Sequence, residues 1–126
     1  MKPEFVVGLA AESVEETTEA QGARHLGAGV RSVLSTPSMI ALMERTSQQL
    51  IQPFLEEGEA SVGTKVNISH IAATPIGMKV RVKSTVQEMK GRRITFAVEA
   101  FNEKEKIGEG THERAIINLQ KFVAKS

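Results

Sequence analysis

The 126-residue chain contains no cysteine, no tryptophan and no tyrosine, and it has five phenylalanines. Without cysteine it can form no disulfide, no thiolate nucleophile and no thiolate metal site. The scarcity of aromatic rings argues against a stacking surface for single-stranded nucleic acid. The formal net charge of +1 gives no overall attraction to nucleic acid or to anionic membranes. We therefore expect neither a nucleic-acid partner nor a membrane partner.

Long apolar runs are missing as well, since no stretch approaches the roughly 20 residues that span a bilayer. The N-terminus also lacks the basic-then-apolar pattern of a signal peptide, so a cytoplasmic location is the default expectation. The length fits a single domain over residues 1–126. A content of 40% hydrophobic and 25% charged residues is ordinary for such a domain and sufficient for a real core.

Residues 35–55 (STPSMIALMERTSQQLIQPFL) predict the one substantial helix of the chain. Ser35 or Thr36 can cap its start with a hydroxyl oxygen, and Pro37 suits the first turn, where its missing N–H costs nothing. Glu44 falls at the edge of the apolar face, where it either marks the solvent border or is held in a cavity. At about 100° per residue, that face collects Met39, Ile40, Met43, Thr46, Ser47, Leu50, Ile51 and Phe54.

Outside the helix the hydrophobic period is two residues, which is typical of strands. We expect a short strand over residues 4–9, a loop or helical turn over residues 11–22, and four strands in an antiparallel meander after the helix. In the first strand of the meander, one face holds Val62, Thr64, Val66, Ile68 and His70. In the last strand, at about residues 106–120, one face holds Ile107, Thr111, Ala115, Ile117 and Leu119.

The predicted fold is α+β, a curled antiparallel sheet of about five strands wrapped around one long central helix. Such a sheet leaves apolar surface and at least one edge strand uncovered, and a partner chain is the usual remedy. We therefore expect a homodimer with twofold symmetry. Whether two dimers pair into a tetramer stays open.

Three polar residues of different chemistry fall where the helix and the sheet must meet. His70 lies on the apolar face of its strand, Glu44 lies on the matching helix face, and Thr36 lies at the helix start, where backbone N–H groups are unpaired. A hydroxyl, a carboxylate and an imidazole in one cleft are the minimum set for hydrolytic or acyl-transfer chemistry. Taken singly, His70 also fits a core histidine and Thr36 a helix cap. The three histidines are scattered, so their spacing predicts no zinc site.

Three stretches, STPSMIALME, VGTKVNISHIAATPIGM and EGTHER, follow one another along the chain. Together they resemble the hot-dog-fold thioesterase superfamily, and most of all its fluoroacetyl-CoA thioesterase-like branch, over residues 33–119. The resemblance implies hydrolysis of an acyl-CoA thioester by a Thr, Glu and His set without a metal or a cofactor, CoA being part of the substrate. By motif, the catalytic residues would be Thr36, Glu44 and His70.

The same resemblance implies two substrate-binding residues. Gly63, in VGT, matches a position whose backbone N–H lies near the thioester carbonyl. Arg114, in THER, matches a position close to the pocket, although a surface or interface ion pair would also explain it. Two routes stay open: His70 and Glu44 together activate a water, or Glu44 attacks and forms a transient anhydride that His70 helps to hydrolyse.

The chain departs from this branch in the lid over the pocket, where the fluoroacetyl-specific enzymes carry phenylalanines. No phenylalanine occurs between Phe5 and Phe54, and residues 16–32 are rich in glycine and alanine. A short acyl-CoA other than fluoroacetyl-CoA is therefore the expected substrate. The alternatives are a non-catalytic hot-dog protein that binds an acyl ligand, and a hot-dog enzyme of the enoyl-CoA hydratase type.

Overall fold

A five-stranded antiparallel sheet packs against one helix in the computed structural model, which describes residues 1–23, 25–27, 29–30 and 32–125. The α+β architecture predicted from the sequence is confirmed. The strands are β1 (Ala10–Glu16), β2 (Glu59–His70), β3 (Lys79–Lys90), β4 (Arg93–Phe101) and β5 (Lys106–Asn118). The helices are α1 (Thr36–Ile51) and a short α2 (Leu119–Lys125), and 3-10 turns cover Glu19–Gln21 and Gln52–Phe54.

The first strand lies later in the chain than the sequence pattern predicted. Residues 4–9 form no strand, although Phe5 is buried in the core. β1 begins at Ala10, within the stretch predicted as a loop or helical turn, and its residues alternate between exposed and half-buried. Its outer face carries charge, as in the 2.7 Å hydrogen bond from Arg81 to Glu12. This acidic composition concealed the period-two pattern.

The sheet order β1-β3-β4-β5-β2 corrects the predicted meander of four strands. The strands β3, β4 and β5 do pair in succession, but β2 pairs with β5 and not with β3. The first strand, β1, pairs with β3. Consequently β1 and β2 are the two edge strands of the described sheet.

The start of α1 follows the predicted capping pattern. Ser35 Oγ accepts a hydrogen bond from the backbone N–H of Ser38 at 3.2 Å, and Pro37 stands in the first turn. The helix passes into a 3-10 turn that contains Pro53, a residue that cannot continue the helical hydrogen bonds. The buried face of α1 holds Met39, Leu42, Met43, Thr46, Ser47, Leu50 and Ile51.

Two buried hydroxyl groups join α1 to the sheet. Thr46 Oγ1 lies 2.7 Å from Ser13 Oγ in β1, and Ser47 Oγ lies 2.8 Å from Ser84 Oγ in β3. Both helix hydroxyls also donate to carbonyl groups of the preceding turn. Since each hydroxyl has a single proton, the sheet serines must be the donors in the two contacts with the helix. These paired bonds fix the rotation of α1 about its axis, and with it the direction of Glu44.

A β-bulge in β2 changes which of its residues face α1. The extra residue is Thr64, between the paired residues Gly63 and Lys65. Gly63 therefore shares the helix-facing side with His70, although strict alternation predicted opposite sides. The predicted placing of Val62 and Thr64 on the side of His70 is wrong for the same reason.

A second bulge has the same effect in β5, where the extra residue is Ile107. Ile107 is buried as predicted, but the alternation reverses after it. The inward residues are His112 and Arg114, which are 1% and 7% exposed. The predicted inward face beyond Ile107 is therefore wrong; it comprised Thr111, Ala115, Ile117 and Leu119, the last of which begins α2.

Candidate active site

Thr36 and His70 meet at the start of α1. Thr36 is the first residue of the helix and His70 is the last residue of β2, and Thr36 Oγ1 lies 2.8 Å from His70 Nδ1. The other ring nitrogen of His70, Nε2, is buried and has no hydrogen-bond partner among the described residues. A hydroxyl thus orients the imidazole through one nitrogen and leaves the second available to exchange a proton.

Burial sets the protonation state of His70. Loss of solvation lowers the pKa of its imidazole below the ordinary value, and the nearby backbone of Ala72 opposes this only in part. At neutral pH the uncharged ring is therefore favoured. An uncharged imidazole is the form that can act as a general base.

The first turn of α1 offers few free backbone donors, contrary to the expectation for a helix start. Pro37 has no N–H, and the N–H of Ser38 is already bonded to Ser35 Oγ. The N–H of Met39 is bonded to the carbonyl of Ser35. An oxyanion beside Thr36 would therefore depend on the Thr36 hydroxyl and on a donor from another element.

Glu44 belongs to a second group of polar residues, further along α1. It is eight positions from Thr36, which corresponds to about 12 Å along the helix axis. The structure describes no hydrogen bond between the Glu44 carboxylate and either Thr36 or His70. The three predicted catalytic residues therefore form a bonded pair and a separate carboxylate on the same helix.

Gly63 is the point at which β2 lies against the Glu44 carboxylate. A methyl group on the Gly63 Cα would be 3.2 Å from Glu44 Oε2 and 3.2 Å from His112 Cε1. Contacts of 3.2 Å are tighter than most side-chain contacts, so a larger residue would displace one of these groups. The absence of a side chain at Gly63 lets the carboxylate approach the strand.

Arg114 is buried beside this group, which excludes the alternative of a surface ion pair in this structure. Its Nε donates to Ser61 Oγ at 3.0 Å and its Nη2 donates to the Ser61 carbonyl at 3.1 Å. Burial lowers the pKa of the guanidinium, and the charge of Glu44 opposes that shift. Arg114 thus brings a positive charge to the carboxylate.

Sequence reasoning missed His112, which lies between Arg114 and β2. Its Nδ1 is 2.9 Å from the carbonyl of Lys65 and its Nε2 is 3.2 Å from Arg114 Nη1. The predicted alternation of β5 placed His112 on the outer face. The signal that could have found it is the pair Gly108 and Gly110, because glycines within a strand often mark a bulge that reverses the alternation.

A cavity of about 560 Å³ opens beside Thr36 and His70. This volume is within the usual range for small-molecule sites. No phenylalanine is among the described residues that line it. Of the glycine- and alanine-rich segment at residues 16–32, where the family's aromatic lid was predicted to be missing, Arg24, Ala28 and Arg31 lie outside the described residues. The remaining lining residues are mostly small or apolar: Gly22, Ala23, His25, Leu26, Val33, Leu34, Ser35 and Pro37.

The described residues contain no group of three or more histidine and acidic side chains that could hold a metal ion. None of the helices in the described ranges is both long and apolar enough to cross a membrane.

Comparison with known proteins gives consistent results. Residues 14–120 match the FlK family, described as fluoroacetyl-CoA-specific thioesterase. The fluoroacetyl-CoA thioesterase of Streptantibioticus cattleyicolor is 44% identical over 93 residues, which cover 74% of this chain and 67% of that protein.

Two solved structures share the fold over nearly the whole chain. One is the fluoroacetyl-CoA thioesterase FlK, with a TM-score of 0.88, 37% identity and coverage of 96% of this chain and 94% of that chain. The other is the Thermus thermophilus hypothetical protein TTHA0967, a thioesterase superfamily member, with a TM-score of 0.91, 34% identity and coverage of 99% and 92%. The hot-dog fold implied by the sequence resemblance is thereby confirmed.

Proposed function

The chain belongs to the family of fluoroacetyl-CoA-specific thioesterases, and we propose that it hydrolyses a short acyl-CoA thioester through Thr36, Glu44 and His70. Hydrolysis of an acyl-CoA thioester to the free acid and CoA is the chemistry of this family, so the chain is a thioester hydrolase. The choice of residues rests on the 2.8 Å contact between Thr36 and His70, beside a cavity of about 560 Å³. The proposed reaction uses no metal ion and no further cofactor.

The Thr36–His70 pair can work in one tautomer. If Nδ1–H of His70 donates to Thr36 Oγ1, the unpartnered Nε2 carries the lone pair and can accept a proton. The Thr36 O–H then remains free to donate to the thioester oxygen. If the Thr36 hydroxyl instead donated to Nδ1, the ring proton would be on Nε2. The hydroxyl could then not donate to the thioester oxygen, and His70 could not accept a proton from water.

In the proposed reaction, a water attacks the carbonyl carbon and gives a proton to Nε2 of His70. The carbonyl oxygen becomes an oxyanion, which accepts from the Thr36 hydroxyl. The second donor is the backbone N–H of Gly63 from the second copy in the homodimer proposed below, because Gly63 of the same chain is seven residues from His70 along β2, about 20 Å. The C–S bond then breaks, and the CoA sulfur leaves with the electron pair and takes the proton from the imidazolium. The products are the acid and the CoA thiol.

Glu44 acts in this proposal from beside Gly63, with the guanidinium of Arg114 close to it. Because Glu44 is about 12 Å along α1 from Thr36 in the same chain, the carboxylate that reaches the thioester is the Glu44 of the second copy in the homodimer proposed below. This carboxylate shares with His70 the activation of the water, or it attacks the carbonyl carbon itself. In the second case the intermediate is a mixed anhydride, which water hydrolyses with His70 as the base. Both routes need the carboxylate and the imidazole on the two sides of the thioester.

The substrate that we propose is a short acyl-CoA other than fluoroacetyl-CoA. The side chains of the described cavity residues near the lid are small or aliphatic, as in Ala23, Leu26 and Val33. A phenylalanine lid would close tightly over a two-carbon acyl group, whereas these side chains leave room for a longer one. Selection for a single fluorinated acyl group is therefore not expected.

Release of free thiol from a panel of acyl-CoAs, acetyl through octanoyl plus fluoroacetyl, tests this proposal. We expect at least one non-fluorinated chain to be hydrolysed with a kcat/KM equal to or above that of fluoroacetyl-CoA. The His70→Ala variant serves as the blank. A strong preference for fluoroacetyl-CoA would overturn the substrate proposal. Tight binding without thiol release would indicate a non-catalytic acyl binder, and hydration of enoyl-CoA would indicate the hydratase class.

We also propose a twofold homodimer that covers the free edge of β2. This strand is 12 residues long and has β5 as its one neighbour in the described sheet. Val66 pairs with the buried His112 and so faces the helix side, yet it is 43% exposed. A second copy of the chain along this edge would cover the apolar side chain and the unpaired strand.

Sedimentation equilibrium tests the dimer, and we expect twice the mass of one chain. Val66→Lys should shift the mass toward the monomer, because it puts a charge into the proposed interface. Val14→Lys on β1 is the matched control, since Val14 is exposed on the opposite edge strand and should leave the mass unchanged. A monomeric wild type, or dissociation by Val14→Lys but not by Val66→Lys, would contradict the proposal. The expected cytoplasmic location stays a prediction.

A further inference from the structure

His112 is buried and held in a single tautomer by its surroundings. Its Nδ1 lies 2.9 Å from the carbonyl oxygen of Lys65, which can only accept, so the ring proton is on Nδ1. Nε2 therefore carries a lone pair and accepts from Arg114 Nη1 at 3.2 Å. The ring also stacks on Phe96, with centroids 6.3 Å apart and planes at 26°. Its position and its hydrogen-bonding character are thus both fixed.

Three acceptors hold the guanidinium of Arg114. Two belong to Ser61, whose hydroxyl and carbonyl oxygens bind Nε and Nη2 on one side. The third is Nε2 of His112, which binds Nη1 on the other side. A planar guanidinium with acceptors on both sides cannot turn in its plane. The orientation of Arg114 therefore depends on His112 remaining an acceptor.

The oriented guanidinium lies where Glu44 approaches β2. A Cβ placed on Gly63 would be 3.6 Å from Arg114 Nη1 and 3.2 Å from Glu44 Oε2. The nitrogen that His112 holds is thus the Arg114 atom nearest to Gly63, the residue that the carboxylate approaches. Protonation of His112 would replace its lone pair with an N–H aimed at Arg114, and both burial and the Arg114 charge disfavour that state.

We propose that His112 is a positioning residue for thioester hydrolysis, which holds the guanidinium of Arg114 toward the carboxylate of Glu44. The inference rests on the proposed catalytic role of Glu44. His112 acts through Arg114 and does not touch the substrate. Arg114 in turn supplies the positive charge that positions the Glu44 carboxylate as base or nucleophile.

Two amide substitutions separate the two hydrogen bonds of His112. His112→Asn places an amide N–H near the former Nδ1 and keeps the bond to Lys65, but it offers nothing to Arg114. His112→Gln places an amide oxygen near the former Nε2 and restores the acceptor for Arg114. We expect kcat to fall about 10- to 100-fold in His112→Asn, which is the usual range for a lost hydrogen bond to a charged group. We expect KM to change little, and His112→Gln to recover most of the rate.

A double-variant comparison distinguishes positioning from a general loss of stability. If His112 acts through Arg114, His112→Asn should cause no additional loss of kcat in an Arg114→Met background. Val98→Ala, a buried substitution on β4, serves as the stability control and should keep the wild-type kcat. Equal losses in His112→Asn and His112→Gln, or additive losses with Arg114→Met, would overturn the proposal.

Nitrogen NMR of protein labelled at histidine and arginine tests the geometry without an activity assay. In the wild type we expect the Nδ1–H tautomer for His112 and slow rotation of the Arg114 guanidinium, with the rotation freed in His112→Asn and not in His112→Gln. An Nε2–H or charged His112 in the wild type would overturn the proposal even if the variants fail to fold. If wild type hydrolyses no acyl-CoA, the proposed function fails, and this measurement still decides the role of His112 toward Arg114.

Discussion

Glu44→Ala is expected to lower kcat/KM for acyl-CoA hydrolysis by about 10²- to 10⁴-fold, the usual contribution of one positioned acid–base group. Glu44→Gln should lose nearly as much, because it keeps the contact with Gly63 but removes the basic oxygen. Steady-state thiol release measures both variants, and circular dichroism checks that they fold. Gln48→Ala, one turn further along α1, is the matched control and should keep its activity. Wild-type rates in both Glu44 variants would refute the assignment.

A single-turnover reaction in oxygen-18 water distinguishes the two proposed roles of Glu44. If the carboxylate forms an anhydride with the acyl group, hydrolysis at the Glu44 carbonyl leaves heavy oxygen in the protein. If Glu44 acts as a base, or if water opens the anhydride at the acyl carbonyl, all of the label appears in the released acid, so label in the protein is the result that establishes the anhydride. Mass spectrometry of the peptide that contains Glu44 reads the difference directly.

His70→Ala is expected to reduce kcat/KM over the same range of about 10²- to 10⁴-fold, because it removes the base and the partner of Thr36. Burial lowers the pKa of His70, so the active uncharged form persists below the ordinary imidazole value. The wild-type kcat/KM should therefore fall only as the pH drops below about 6.5, the ordinary imidazole value.

His25→Ala provides the matched control for the His70 variant, since His25 also lines the cavity but has no role in the proposed reaction. It should change kcat/KM little at any pH. If His25→Ala lost as much activity as His70→Ala, the assignment of the base to His70 would be contradicted. An acid limb that begins above the ordinary imidazole pKa would contradict the lowered pKa of His70.

The helix and its cap were predictable because their rules are local. Ser35, Pro37 and the apolar period specify where α1 begins and which face is buried, and each of these features acts within a few residues. The approach of Thr36 to His70 was predictable in outline for a related reason. A helix start and an inward residue of the following strand must meet when one helix covers one sheet.

The position of β1 was not predictable from the same rules. Its strand character comes from pairing with β3 and from small residues against α1, such as Ser13 beside Thr46. Neither partner is close in sequence, and the local composition favours a loop. The pairing of β2 with β5 was hidden for a similar reason, since strands adjacent in sequence were expected to be adjacent in the sheet.

The site was predicted incompletely because alternation was counted across bulges. Gly63 and Arg114 were predicted as site residues only through the family resemblance. The strand pattern put His112 on the outer face. One extra residue in β2 and one in β5 bring all three to the inner face. Whether Thr36, Glu44 and His70 perform catalysis stays a prediction until the variants are assayed.

The bulge at Ile107 also limits how β5 can change during evolution. Odd-numbered residues face inward up to Ile107, and even-numbered residues face inward after it. The loss of a single residue between Ile107 and His112 would therefore turn His112 and Arg114 toward solvent. We therefore expect insertions and deletions of one residue to be tolerated less well between Ile107 and Asn118 than beyond Asn118. As in a reading frame, a change of one residue moves every later side chain of the strand to the opposite face, and a change of two residues returns them to their original face.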